Sequence, residues 1–344
     1  MGKTPYHTIV DLLGAGVLNV AEEPPKNVRD LESAPAYTVP LIAEDYPAKT
    51  AIMWNAAYEK FGMPDRNVMM VANPDDAGRI LDVLRRDPKY RGGGAGIGFK
   101  EKVFPLLDEV VSPLARAMEA VNIIKKTADG RLLGDNTDGP GYAASLEEKF
   151  QSRGETLAGK KVLLLGAGGA AKAIAFALAD RGAVLRILNR TPEKALDSAG
   201  AVNAYFQQHI ASGGGRSEIA QYLAEQDAVV AAIEDRTRPL WRCSALAAIP
   251  ETITDEGVEE NLRANERILR AYAKPTFIVS DVQIRKEPTA TIREAARLGF
   301  ETLDGIPMVI NQGVDAFWWL YGEGLARQGR TKDEVLAIMK DVAK

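Results

Sequence analysis

Lys161–Ala183 reads KVLLLGAGGAAKAIAFALADRGA, and this stretch decides the fold. An apolar run, KVLLL, reads as a buried strand. Gly166-Ala167-Gly168-Gly169-Ala170-Ala171 follows it at once as G-x-G-x-x-A, and AKAIAFALADRG continues as a helix. In this strand–turn–helix setting Gly166 permits a tight turn and Gly168 lets backbone approach a pyrophosphate. The small Ala171 lets the helix pack close to the strand. The helix start then offers unbonded N–H groups and its positive dipole end to phosphates.

Outward from this unit the chain alternates strand and helix. AVLRILNRT, DAVVAAIE and PTFIVSDV are further β runs separated by helical segments, the signature of a parallel sheet. The second β run ends in Asn189-Arg190-Thr191. A carboxylate there would bond both ribose hydroxyls of NAD. Arg190 instead pairs with a 2′-phosphate and stacks on adenine, while Asn189 and Thr191 donate hydrogen bonds, so the cofactor expected is NADP. ASGGGRSE, at 211–218, reads as a surface loop of this domain.

The N-terminal part has its own pattern. AIMWNAAYEKFG has helical spacing and ends at Gly62, NVMMVA reads as a buried strand, and DDAGRILDVLRRD as an amphipathic helix. EAVNIIKKTADGRLLGDNTDG reads as a hairpin with Asp129-Gly130 at its turn, and GPGYAASLEEKFQSRG as a helix. A second glycine-rich stretch, RGGGAGIGFKEKVFPLLDEV, spans Arg91–Val110. Gly93 and Gly98 have the spacing of a phosphate loop, but Phe99 precedes Lys100 and Glu101 stands where a hydroxyl should bind magnesium. It therefore reads as a flexible segment able to approach a ligand, with Lys100 opening a helical run. The last stretch, MVINQGVDAFWWLYGEGLARQG, is helical and aromatic.

At 344 residues, 46% hydrophobic and 26% charged, the chain suits two soluble domains. A net charge of −4 argues against nucleic acid as a partner. The lone Cys243 allows no internal disulfide and reads as a buried thiol, and two histidines without ligand spacing argue against a metal site. No apolar run is long enough to span a membrane and the N-terminus does not read as a secretory signal, so the expected location is cytoplasmic.

Taken together, GFKEKVFPLLDEV, LARAMEAVNII, GRLLGDNTDGPGY, VLLLGAGGAAKAIAFALADRGA, LNRTPEKA and DGIPMVINQGVDAF resemble the shikimate/quinate dehydrogenase family over roughly residues 38–344. The resemblance implies an α/β fold with a substrate-binding domain over 1–153, completed by the returning C-terminal helices at 308–344, and a Rossmann domain over 154–307. A cleft between the two is implied. It implies Lys100 and Asp138 as the acid–base pair beside the reacting hydroxyl, with Asn122 and Gln312 as substrate contacts. A cleft lysine lowered in pKa by desolvation and oriented by an aspartate suits the proton transfer that accompanies hydride transfer. Monomer or homodimer is the expected assembly.

The departures fall on the family's carboxylate clamp. Its Ser-x-Ser pair is replaced by Ala48-Lys49-Thr50, and its tyrosine after the DV strand end by Ile284. Thr50 keeps one hydroxyl; Lys49, Arg285 and Lys286 are either a different acid clamp or exposed charges. The loop after Ala232, AAIEDRTRP, also lacks the family's Ala-Thr and Gly-Met. The expected activity is thus NADP-dependent oxidation or reduction at a secondary alcohol or ketone of a small, cyclic hydroxy acid or polyol other than shikimate. Two alternatives stand beside it: a methylene-tetrahydropterin-type dehydrogenase, with Trp54 or Phe99 walling a flat site, and a non-catalytic NADP-binding regulatory protein.

Overall fold

A computed structural model describes residues 6–22, 31, 33–45, 49–233 and 238–343. Ala48 and the stretch 234–237 of the altered loop lie outside them. By contacts the chain divides into two compact units, Met1–Asp138 with Val309–Lys344, and Gly139–Met308. In chain order the elements are α1 (Ile9–Gly14), β1 (Leu18–Val20), β2 (Tyr37–Thr38), β3 (Leu41–Ile42), α2 (Thr50–Lys60), β4 (Arg66–Asn67), β5 (Met70–Ala72), α3 (Ala77–Arg86), β6 (Tyr90–Gly94), α4 (Lys100–Val103), β7 (Glu109–Val110), α5 (Pro113–Met118), β8 (Ile123–Lys126), β9 (Leu132–Asp135) and α6 (Asp138–Gln151). There follow β10 (Lys161–Leu165), α7 (Gly169–Asp180), β11 (Val184–Asn189), α8 (Pro192–Phe206), β12 (Ala211–Gly215), α9 (Ile219–Tyr222), β13 (Ala228–Ala231), α10 (Asp255–Tyr272), β14 (Ile278–Asp281), α11 (Ala290–Arg297), β15 (Glu301–Leu303), α12 (Ile306–Arg327) and α13 (Lys332–Val342).

The second unit carries a six-stranded sheet in the order β12-β11-β10-β13-β14-β15, parallel throughout. Strand order reverses beside β10, and α7 starts there. Doubly wound sheets bind ligands at this switch point. Alanines make α7 narrow, and eight of its residues are buried. The contact boundary at Asp138/Gly139 lies one helix before the expected one at 153/154. Packing accounts for the difference: a Cβ on Gly139 would stand 2.3 Å from the Ala173 carbonyl, so α6 lies hard against α7.

The expected loop at 211–218 is instead largely strand β12, paired in parallel with β11. Helix α8 covers it so closely that a Cβ on Gly213 would come within 2.5 Å of the Leu196 nitrogen. The glycines that signalled a loop make room for a helix.

The first unit holds a mixed six-stranded sheet, β4-β2-β6-β8-β9-β7, and a small sheet, β1-β5-β3. The expected single strand NVMMVA is divided: β4 pairs with β2, while β5 pairs with β1 and β3. The β8–β9 hairpin turns at Gly130, with φ +87°. The glycine-rich stretch is not a flexible loop at its start, because Gly92–Gly94 belong to β6 between β2 and β8. Phe99 and Trp54 are core, 0% and 1% exposed, so neither walls a flat site.

Inside the second unit, Asp281 ends β14 with 1% exposure. Its Oδ2 accepts from the Thr289 hydroxyl at 2.7 Å and its Oδ1 from the Gln283 N–H at 3.1 Å. Burial outweighs these bonds and pushes the carboxyl up from 3.8 to about 6. The folded protein therefore holds this proton where the unfolded chain has lost it. The stability it contributes is full below about pH 4 and is lost as pH rises through 6, a change of order 1–3 kcal/mol. Asp281→Asn should gain on the wild type over this window in urea midpoints measured from pH 4 to 7. A difference that does not vary with pH would refute the assignment.

Candidate active site

Four separate stretches meet in the first unit. Lys100 opens α4, anchored by buried Phe99 before it, and its carbonyl accepts the Val121 N–H at 3.1 Å. Asn122 lies between that contact and β8. Its own N–H reaches the Asp135 carbonyl at 3.0 Å and its carbonyl accepts the Ala95 N–H at 2.8 Å, so the backbone is clamped on both sides. Asp138 is the first residue of α6 rather than the turn residue that Asp-Gly signals, and its N–H bonds the Asn136 side chain at 3.1 Å.

Lys100 Nζ donates to Asp138 Oδ2 in an ion pair. Asn122 Nδ2 donates to Asp138 Oδ1 at 2.8 Å. The same amide lies 3.1 Å from Thr137 Oγ1 and 3.4 Å from Gln312 Oε1, while its oxygen accepts the Thr137 N–H at 2.8 Å. Gln312, on α12, donates to the Val309 carbonyl at 3.1 Å. The Lys100 and Asp138 side chains are 24% and 11% exposed, dry enough to strengthen the pair yet open to a solute. Such a cluster presents a fixed ammonium beside a carboxylate and two amides, which suits proton exchange with an alcohol or carbonyl oxygen. Thr137 was not singled out from the sequence; its place between Asn136 and Asp138 in the DNTD motif is the signal.

Lys49 and Thr50 stand part-exposed at the start of α2, and the bonds just described do not include them. Ile284 is 36% exposed after β14. Arg285 lies over the Trp241 ring, 5.8 Å from its centroid. Cys243 is buried, and burial raises its thiol pKa, as suits an inert packing residue.

In the second unit Gly166 has φ +120°, and a Cβ there would stand 2.3 Å from the Ala232 carbonyl, so only glycine fits. Gly168 caps α7 without a side-chain bond, and a Cβ on it would meet nothing within 4 Å. Ala171 is buried beneath. Open space above Gly168 and the uncapped first turn of Gly169 and Ala170 fit a pyrophosphate. Asn189 Nδ2 donates to the Thr191 carbonyl at 3.1 Å, which shapes the turn that carries exposed Arg190.

This geometry has relatives. Residues 47–124 match the shikimate dehydrogenase substrate binding domain, and residues 148–256 match shikimate / quinate 5-dehydrogenase. The NADP(+) shikimate dehydrogenase of Desulfitobacterium hafniense is 32% identical over 270 residues, 78% of this chain and 86% of the relative. The chain belongs to the shikimate/quinate dehydrogenase family. It is thus an NAD(P)-dependent oxidoreductase, with an N-terminal substrate domain and a C-terminal Rossmann-type domain. Among solved structures it is similar to the quinate dehydrogenase of Corynebacterium glutamicum in complex with NAD, at 25% identity and TM-score 0.69, over 89% of this chain and 99% of that one. The 5-ketofructose reductase of a Gluconobacter species shares the fold at 24% identity and TM-score 0.64, over 89% of this chain and 98% of that one. Nothing in these comparisons supports the pterin-type dehydrogenase or the non-catalytic alternative. Among the described residues, no helix is long and apolar enough to cross a membrane.

Proposed function

We propose that this protein moves hydride between NADP and the secondary alcohol or ketone of a small, cyclic hydroxy acid or polyol other than shikimate, with Lys100 and Asp138 as the proton-transfer pair. NADP, when bound, supplies or accepts the hydride. Lys100 gives its proton to the carbonyl oxygen in reduction and takes the hydroxyl proton in oxidation. Asp138 orients the ammonium and balances its charge, and Asn122 and Gln312 hold neighbouring hydroxyls. Gly166–Ala171 carry the pyrophosphate, and Asn189, Arg190 and Thr191 carry the adenosine 2′-phosphate. The observation that carries the reading is the convergence of Lys100, Asp138, Asn122 and Gln312 on one polar cluster.

Two losses support a substrate other than shikimate. Ala48 and Ile284 stand where the family places a serine and a tyrosine that donate to the substrate carboxylate. An anion that loses its donors keeps its desolvation cost. The test is reduction of NADP⁺ and NAD⁺ against a panel of cyclic hydroxy acids and polyols that includes shikimate and quinate. A charge-assisted phosphate contact contributes about 1.5–3 kcal/mol, so NADP should be favoured roughly 10- to 150-fold. Shikimate should fall below about 10⁴ M⁻¹s⁻¹ in kcat/KM, the low end for ordinary enzymes. Equal use of NAD, or shikimate above that value, would overturn the corresponding half of the proposal.

A further inference from the structure

We infer that Arg216 is a second cation of the adenosine 2′-phosphate subsite, beside Arg190; the inference rests on the NADP reading above. Strands β11 and β12 run parallel with Asn189 opposite Gly215. The residue just past each strand end is an arginine, Arg190 after β11 and Arg216 after β12. Neighbouring strands lie about 4.8 Å apart, so the two arginines leave the sheet side by side. They do so at the carboxyl ends of the strands, where doubly wound sheets receive their ligands, and at the strand whose end meets the ribose.

Arg216 is held rather than floating. Its Nη2 donates to the Ala245 carbonyl at 2.6 Å and to the Ala247 carbonyl at 3.3 Å. Among the described residues its buried Nε has no hydrogen-bond partner. Backbone carbonyls do not neutralise a guanidinium. Burial lowers its pKa to about 10, with like-charge repulsion from Arg190 and Arg238 adding to the effect. The adjacent carboxylate, Glu218, is already committed: Oε1 accepts the Gly215 N–H at 2.5 Å and Oε2 accepts from Arg186 at 2.8 Å. Among the described residues no carboxylate pairs with Arg190 or Arg216, so the two together are short of an anion. A phosphate monoester on the ribose 2′-oxygen supplies two negative charges where the strand ends place them.

The experiment is fluorescence titration of NADPH and NADH into wild type, Arg216→Met and Arg216→Lys. Arg216→Met should weaken NADPH by about tenfold or more and NADH by less than about twofold, the difference expected for one charge-assisted contact. Arg216→Lys, which keeps the charge, should recover part of the NADPH affinity. Equal weakening of both cofactors would make Arg216 a structural residue of its loop and overturn the inference, as would an unchanged NADPH affinity. A wild type that binds NADPH no better than NADH would instead fell the NADP reading, and this inference with it.

Discussion

Lys100→Ala is expected to lower turnover by about 10²–10⁴-fold, the usual contribution of a positioned acid–base group. NADPH affinity should stay within about twofold, as for sites that share no partners. The argument is chemical and local. Hydride arriving at a carbonyl carbon leaves a developing alkoxide, and that oxygen needs a proton. Lys100 is the cation of the cluster, fixed by Asp138 on one side and by its short helix on the other. Removing it should leave the Asn122–Asp138 bond but take away the proposed proton donor. Steady-state rates on the best substrate, read beside cofactor titration, check this. If Lys100→Ala abolished NADPH binding and spared the chemistry, the glycine-rich stretch before it would be the nucleotide site.

Gly93→Ala should be the most destabilising small substitution in that stretch. Gly93 has φ +155°, and an added Cβ would stand 2.2 Å from the Val39 carbonyl oxygen and 2.6 Å from the Val39 nitrogen. Both neighbours are backbone and cannot rotate away. Overpacking and a poor backbone angle together cost roughly 2–6 kcal/mol, enough to unfold many proteins of ordinary stability. Gly168→Ala is the contrasting case, with φ −86° and open space around its Cβ. It should leave the urea midpoint unchanged and weaken NADPH, because the new methyl occupies space assigned to the pyrophosphate. If Gly93→Ala folded normally and lost only cofactor affinity, the assignment of the two stretches would be reversed.

The two glycine runs also show what a sequence discloses. Gly166–Ala171 was legible because strand, turn and helix are contiguous and each letter has a local purpose. Gly92–Gly94 and Gly213–Gly215 were not. Both lie in strands where single glycines answer to neighbours distant along the chain, Gly92 to Ile124, Gly93 to Val39 and Gly213 to α8. NVMMVA looked like one strand because its apolar run is continuous, yet it serves two sheets. Asp138 begins α6 although Asp-Gly is a turn signal, and Gly139 beside it lies against Ala173 of α7. Lys100, Asn122 and Gln312 are ordinary residues in isolation, and only the family resemblance joined them before their geometry was known. Arg216 was hidden for a different reason, since its nearness to Arg190 follows from strand register, which no local pattern encodes.

The most direct test of the central claim is a double-mutant cycle on Lys100→Ala and Asp138→Asn, with turnover and NADPH affinity measured for each variant. If the two side chains act as one proton-transfer unit, each single change slows turnover. The double variant is then no more than about threefold slower than the worse single, because a unit once broken loses little more. NADPH affinity holds steady in all of them. Rate losses that multiply, or an Asp138→Asn enzyme that turns over at the wild-type rate, would contradict the pair and the account built on it.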